Sequence, residues 1–156
     1  MRKPLAQQSD VIIMGGAWNS ADRNPNGLSE RCLKKTDDKI VLSEIKSRIF
    51  EHLVFPSHWA EEGVYPPNGL SKKLAFEICK HIFEIHGRSP DRIAPTMEGG
   101  VFIAYDSPKG NISLYIEAYN DLTAGYLVND NSQKKILASE DITTKFNFDN
   151  AIKYIL

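Results

Sequence analysis

Carboxylates are the side chains of this chain best suited to chemistry. Glu61, Glu62, Glu98, Asp106 and Glu117 all fall in or beside stretches that read as loops and strand ends. Gathered at one end of a sheet, such groups hold a divalent cation for hydrolysis or nucleic-acid cleavage. Glu98, Glu62 and Asp106 are the catalytic candidates on that reading. The segment PTMEGGVFIAY, Pro95 to Tyr105, sets Glu98 before two glycines and an alternating apolar run. It reads either as an acidic catalytic or phosphate-binding loop or as a hinge between two strands. The turn reading is the stronger, because glycine supplies the backbone angles of a tight connection and an acid at a hairpin tip is usually solvated.

Other chemistries find less support. His81 and His86 are five residues apart on a helical stretch, which places them on different faces, unlike the four-residue spacing of a helical metal pair. His52 and His58 flank the end of an earlier helix and read as surface residues. No Gly-x-Ser-x-Gly elbow is present, and MGGAWNS after VII lacks the glycine and lysine pattern of a phosphate loop. Cys32 and Cys79 have no Cys-x-x-Cys spacing and read as free thiols, with Cys79 inside an apolar helical pattern. No metal or cofactor is expected.

The aromatic residues form the more suggestive set. Trp59 and Tyr65 lie on a loop, and Tyr105, Tyr115, Tyr119 and Tyr126 lie on strand-like stretches. Tyr and Trp suit a surface that binds without being wholly apolar. Trp59, Tyr65, Tyr105, Tyr115 and Tyr119 are therefore the binding candidates, on the less buried face of a sheet. The same pattern also allows the loop to fold over that face and bury them.

The elements that must position these residues follow from periodicity. Residues 1–38 are rich in Asn, Asp, Pro, Gly and Ser and show no clear period, so they read as a largely irregular N-terminal arm, interrupted only by DVIIMGGAW as a short strand or anchor. Residues 39–156 read as a single domain. Leu42, Ile45, Ile49 and Leu53 mark a helix with Ser43 as N-cap, ending near Phe55 before Pro56. A second helix runs from about Leu70 to His86, with Leu74, Ala75, Ile78, Ile82 and Ile85 as its core stripe and Gly87 as its stop. The period then changes to two. RIA, GVFIAY, NISLYIEAY and AGYLV read as strands; in the third, Ile112, Leu114, Ile116 and Ala118 face one side and Ser113, Tyr115, Glu117 and Tyr119 the other. A short C-terminal helix from about Asp149 would bring Phe148, Ile152 and Ile155 onto the sheet. The expected fold is α+β, with two helices packed on one face of a roughly four-stranded antiparallel meander.

The bulk properties narrow the classes further. A chain of 156 residues with 42% hydrophobic and 25% charged residues suits one soluble globular domain. No apolar run is long enough for a membrane span or signal core, so a cytoplasmic location without membrane attachment is expected. With 19 basic and 20 acidic residues the net charge is -1, which removes the usual electrostatic footprint of nucleic-acid binding and leaves that class disfavoured. The pairs Lys34-Lys35, Lys72-Lys73 and Lys134-Lys135 read as solvated faces.

Two stretches together, LVFPSHWAEEGVYPPNGLSKKLAFEI and RIAPTMEGGVFIAY, resemble a diffuse group of small, mostly uncharacterised bacterial proteins, some of them associated with mobile elements and toxin-antitoxin-type gene neighbourhoods. The matching positions are Pro56, Trp59, Gly63, Pro66, Glu98, Gly99, Gly100 and Tyr105, with Glu98 where Asp and Tyr105 where Trp is more usual. The resemblance covers roughly the central half of the chain and implies a fold and a genomic setting more than an activity. The lack of an assembled catalytic motif, the surface-prone aromatics and a polar arm able to order on binding point to a non-enzymatic protein-binding module, an antitoxin, immunity or accessory protein. The expected partner is another protein or a second copy in a homodimer. A small metal-dependent hydrolase or nuclease using the carboxylates is the alternative.

Overall fold

The computed structural model describes residues 25–142 and 148–156. The chain divides into two compact units, Met1–Ile40 and Val41–Leu156. Helix α1 spans Pro25–Phe50, contributing its first part to one unit and its last part to the other. Its start differs from expectation: residues 25–38, read as irregular, are helical, and Ser43 lies inside the helix instead of capping it. The segment DVIIMGGAW lies outside the described residues. The physical reason for the miss is that residues 33–37 are exposed on every side, so no apolar stripe marks the helix there. Only from Val41 onward does a stripe appear, with Ile45 and Ile49 buried and Val41 and Leu42 packed beside them.

A short helix, α2 (Ser57–Glu61), forms inside the loop that was expected to be irregular. Helix α3 (Gly69–His86) follows, and its ends have clear local causes. The Asn68 side-chain oxygen accepts from the Leu70 and Ser71 amides, both at 2.9 Å, which satisfies two of the free donors of the first turn. At the other end Gly87 takes a left-handed conformation, with φ of 67°, and its amide donates to the Phe83 carbonyl. The buried stripe is Ser71, Leu74, Ala75, Ile78, Cys79 and Ile82. Ile85, expected in that stripe, is 57% exposed, because Cys79 and not residue 85 completes the inward face.

Five antiparallel strands form a sheet in the order β1-β2-β3-β4-β5. They are β1 (Arg92–Pro95), β2 (Val101–Asp106), β3 (Ile112–Ala118), β4 (Ala124–Asp130) and β5 (Lys135–Ile142). The meander was expected to stop after four. Its fifth strand is a mostly exposed edge, KILASEDI, whose weak alternation hides it in the sequence. A bulge between Val128 and Asn129 shifts its register against β4. The C-terminal helix α4 (Asp149–Ile152) forms where it was expected, and Phe148, Ile152 and Ile155 are buried.

One hydrophobic cluster joins these elements. Ile45 and Ile49 of α1, the stripe of α3, the inward residues Val101, Ile103, Tyr105, Leu114, Ile116 and Val128 of the strands, and Phe148, Ile152 and Ile155 at the C-terminus all belong to it. Arg88 clamps the C-terminal segment: its guanidinium donates to the carbonyls of Ile155 at 2.6 Å and Asp106 at 2.7 Å. Among the described residues no helix is long and apolar enough to cross a membrane.

Candidate functional site

Pro95 to Val101 is a hairpin between β1 and β2. The Thr96 amide donates to the Gly100 carbonyl, and the Thr96 hydroxyl accepts from the Gly100 amide. Gly99 has φ of 83°. Gly100 is needed for a different reason: a Cβ there would sit 2.7 Å from the Ala118 carbonyl oxygen of β3. Glu98 is exposed at this tip, as the turn reading expects. The Ser71 hydroxyl lies 3.4 Å from the Gly99 carbonyl, so the tip rests against the start of α3.

Strand alternation sends the five expected binding residues to different places. Tyr105 points into the core and is 0% exposed, which overturns its assignment to the wet face. Tyr126, expected on the same face, also belongs to the core, where its ring meets Phe148 edge-on at 6.0 Å between centroids. The cause is parity: Val101, Ile103 and Tyr105 alternate on one side of β2, and Tyr126 of β4 pairs with Ile116 of the inward set on β3. Tyr115 and Tyr119 remain on the outer side. Trp59 lies in the short helix α2 and not in a loop, edge-on to Phe55 at 5.7 Å and near His58. Tyr65 is 80% exposed.

The acidic candidates do not converge either. Glu98 stands at the tip preceding β2 and Asp106 at its far end, with about 17 Å of strand between them. Asp106 accepts a short hydrogen bond from the Ser113 hydroxyl and is paired with Arg92 at 3.3 Å. Glu62 is exposed just after α2. Among the described residues no group of three or more His, Cys, Asp or Glu side chains is arranged to hold a metal ion.

What the structure does assemble is a trough on the outer face of the sheet. The register sets Phe102 opposite Glu117, Glu117 opposite Gly125, and Gly125 opposite Asp141. The neighbouring row is Ala104, Tyr115, Leu127 and Ser139. Gly125 is the floor: a Cβ there would lie 2.9 Å from Asp141 Oδ1 and 3.3 Å from the Tyr119 hydroxyl. The Asp141 carboxylate and Tyr119 hydroxyl close over that glycine, and a depression of about 230 Å³ beside it is walled by Phe102, Tyr115, Glu117, Tyr119, Leu127 and Asp141. A second depression of about 460 Å³ continues from Tyr119 and Asp141 toward Glu98 and Asp121.

Among the described residues that line the two depressions, the charged side chains are all acidic: Glu117, Asp141, Glu98 and Asp121. The Tyr119 phenol has its pKa raised, first by burial and then by the carboxylates of Glu117, Asp141, Glu98 and Asp121. Glu117 Oε2 is buried and has no hydrogen-bonding partner. Neither Glu117 nor Asp141 has an ion pair or a side-chain hydrogen bond among the described residues. A few ångströms along the face a cation is already held: the Arg92 guanidinium lies 5.9 Å from the centre of the Tyr115 ring, which in turn packs against Phe102.

Asp141, Gly125, Phe102 and Leu127 were not among the candidates read from the sequence. Asp141 sits in the strand that periodicity missed, and Gly125 is uninformative until the register places it between two acids. Glu117 was visible as an outward residue of β3, but its partners were not. Comparison with protein-family models, with curated proteins and with solved structures returns no significant match.

Proposed function

We propose that this chain is a non-enzymatic protein-binding module, an antitoxin, immunity or accessory protein of the cytoplasm, and that the outer face of its sheet is the binding surface. The observation that carries the reading is the trough itself. Half-buried Phe102, Tyr115, Tyr119 and Leu127 line it, while the buried residues of α1, α3 and α4 gather in the cluster on the opposite side of the strands. Aromatic side chains around a concave, partly wet surface are what protein interfaces use as anchors, because they bury a large area at small cost in side-chain entropy. The resemblance to small bacterial proteins near toxin-antitoxin-type genes supports the same class, with a protein partner or a second copy as occupant.

The test is affinity purification of the tagged protein from its native host, beside a Tyr115→Ala/Tyr119→Ala variant whose fold is checked by circular dichroism. The expected result is a partner in near-stoichiometric amount with the wild type and its loss with the variant. Recovery of no partner overturns the module reading. A partner that the variant retains fully overturns the choice of face.

A further inference from the structure

We infer that one exposed face of α1 is a self-association surface, on which a second copy of this chain lays its own α1 in parallel to form a short two-stranded coiled coil. This surface is separate from the sheet face and does not depend on what binds there.

Its residues follow from helical spacing. Leu33, Thr36, Ile40, Ser43, Ser47 and Phe50 recur at alternating steps of three and four, the first and fourth positions of a heptad, and fall within an arc of about 100°. All six are uncharged, in a helix rich in Lys, Asp and Glu. The face that α1 buries in its own chain is a different one, with Ile45 and Ile49 buried and Val41 and Leu42 half-buried beside them. The apolar members of the stripe are left in water instead: Leu33 is 61% exposed, Ile40 62% and Phe50 40%. Burying them against their counterparts in a second copy supplies a driving force for association.

The flanking charges say what covers the stripe. In the same heptads the fifth positions are Asp37, Glu44 and Glu51, and the seventh positions are Lys39 and Lys46. The helical turn continues through Glu51, whose amide donates to the Ser47 carbonyl at 2.9 Å. All five flanking residues are exposed. Among the described residues Asp37, Lys39, Glu44 and Lys46 have no ion pair within the chain. Their spacing prevents pairing with one another along the helix, since neighbouring acid and lysine stand two or five residues apart.

Across two parallel helices that spacing becomes favourable. The seventh position of one heptad meets the fifth position of the next heptad on the other helix, so Lys39 faces Glu44 and Lys46 faces Glu51, in both directions across the two-fold axis. An antiparallel pair would set lysine against lysine and acid against acid. The pattern is complementary to itself in one orientation, and a second copy satisfies it without a partner of separate sequence. The hydroxyl side chains of Thr36, Ser43 and Ser47 thin the seam. Three apolar residues per helix over about 26 Å make a reversible contact, with dissociation on the order of 10–100 μM.

Sedimentation equilibrium of the full-length protein, from about 5 to 500 μM, reads the association. The wild type is expected to pass from monomer to dimer within that range. Ile40→Glu puts a charge in the seam, and Lys39→Glu/Lys46→Glu makes both flanks acidic; each should weaken the dimer at least about tenfold. Glu44→Lys/Glu51→Lys makes both flanks basic and should do the same, while an equimolar mixture of the acidic and basic variants should recover a dimer as strong as the wild type. Circular dichroism unchanged from the wild type confirms that each variant is folded. A wild type that stays monomeric throughout overturns the inference. So does a dimer that keeps its strength in Ile40→Glu, which would place the contact elsewhere, such as an exposed strand edge. A dimer that Ile40→Glu dissociates but the charge reversals leave intact overturns the parallel pairing, as does a mixture of folded variants that recovers no dimer.

Discussion

Replacing Tyr105 by Phe tests the most consequential departure of the structure from the sequence pattern. Tyr105 is wholly buried, and its hydroxyl has no hydrogen-bonding partner of good geometry. The polar group it faces is the Cys79 thiol, a weak acceptor. Burying a hydroxyl without a partner costs about 1–3 kcal/mol, whereas removing a well-bonded one loses about 1 kcal/mol. Phenylalanine keeps the ring and its packing against Cys79 and the strands, so no cavity of consequence forms. Tyr105→Phe should therefore leave stability unchanged or raise it by about 1 kcal/mol, a rise of about 4 °C in Tm for a unit of this size. Urea unfolding followed by circular dichroism, with equal m-values required for the comparison, measures it. A loss of more than about 1 kcal/mol would refute the reasoning, because the hydroxyl would then have a strong partner. The double-mutant cycle with Cys79→Ala would identify the thiol as that partner if the two losses are not additive.

Three further outcomes follow from named contacts. Burial pushes the Cys79 thiol up from 9.0 to about 12, and since the folded value lies above the unfolded one, its contribution is complete below pH 9 and is lost as pH rises toward 12. Between pH 9 and 10 the wild type should lose stability at up to about 1.4 kcal/mol per pH unit relative to Cys79→Ala, read from urea midpoints across that range. Gly100→Ala forces a Cβ to within 2.7 Å of the Ala118 carbonyl, a backbone atom that cannot swing aside, and should cost about 1–3 kcal/mol by the same assay; a neutral result would mean that β2 and β3 separate freely there. Arg88→Ala removes two charge-assisted bonds to the Ile155 and Asp106 carbonyls and should cost about 2–3 kcal/mol, with hydrogen exchange rising first at residues 149–156.

Much of the fold was legible because two periods are easy to read. The stripe at Leu74, Ala75, Ile78 and Ile82, closed by Gly87, specifies α3, and the alternation of Ile112, Leu114 and Ile116 against Ser113, Tyr115 and Glu117 specifies β3 and its two faces. The hairpin at Glu98 was legible from its glycines for the same local reason, their freedom to turn. The first part of α1 and the edge strand β5 were not, since an element exposed on most sides carries no apolar period to report it.

The candidate site divides along the same line. Tyr115, Tyr119 and Glu117 could be assigned to an outward face from the parity of a single strand. Which residues they meet there depends on the register of three strands and on a bulge at Val128/Asn129, which are set by pairing between segments distant in sequence. Local pattern therefore determined which residues of this chain point outward. Only the tertiary structure, by laying Gly125 between Glu117 and Asp141, decided that those residues enclose an acidic trough, because a cross-strand neighbour is a property of the sheet and of no single segment.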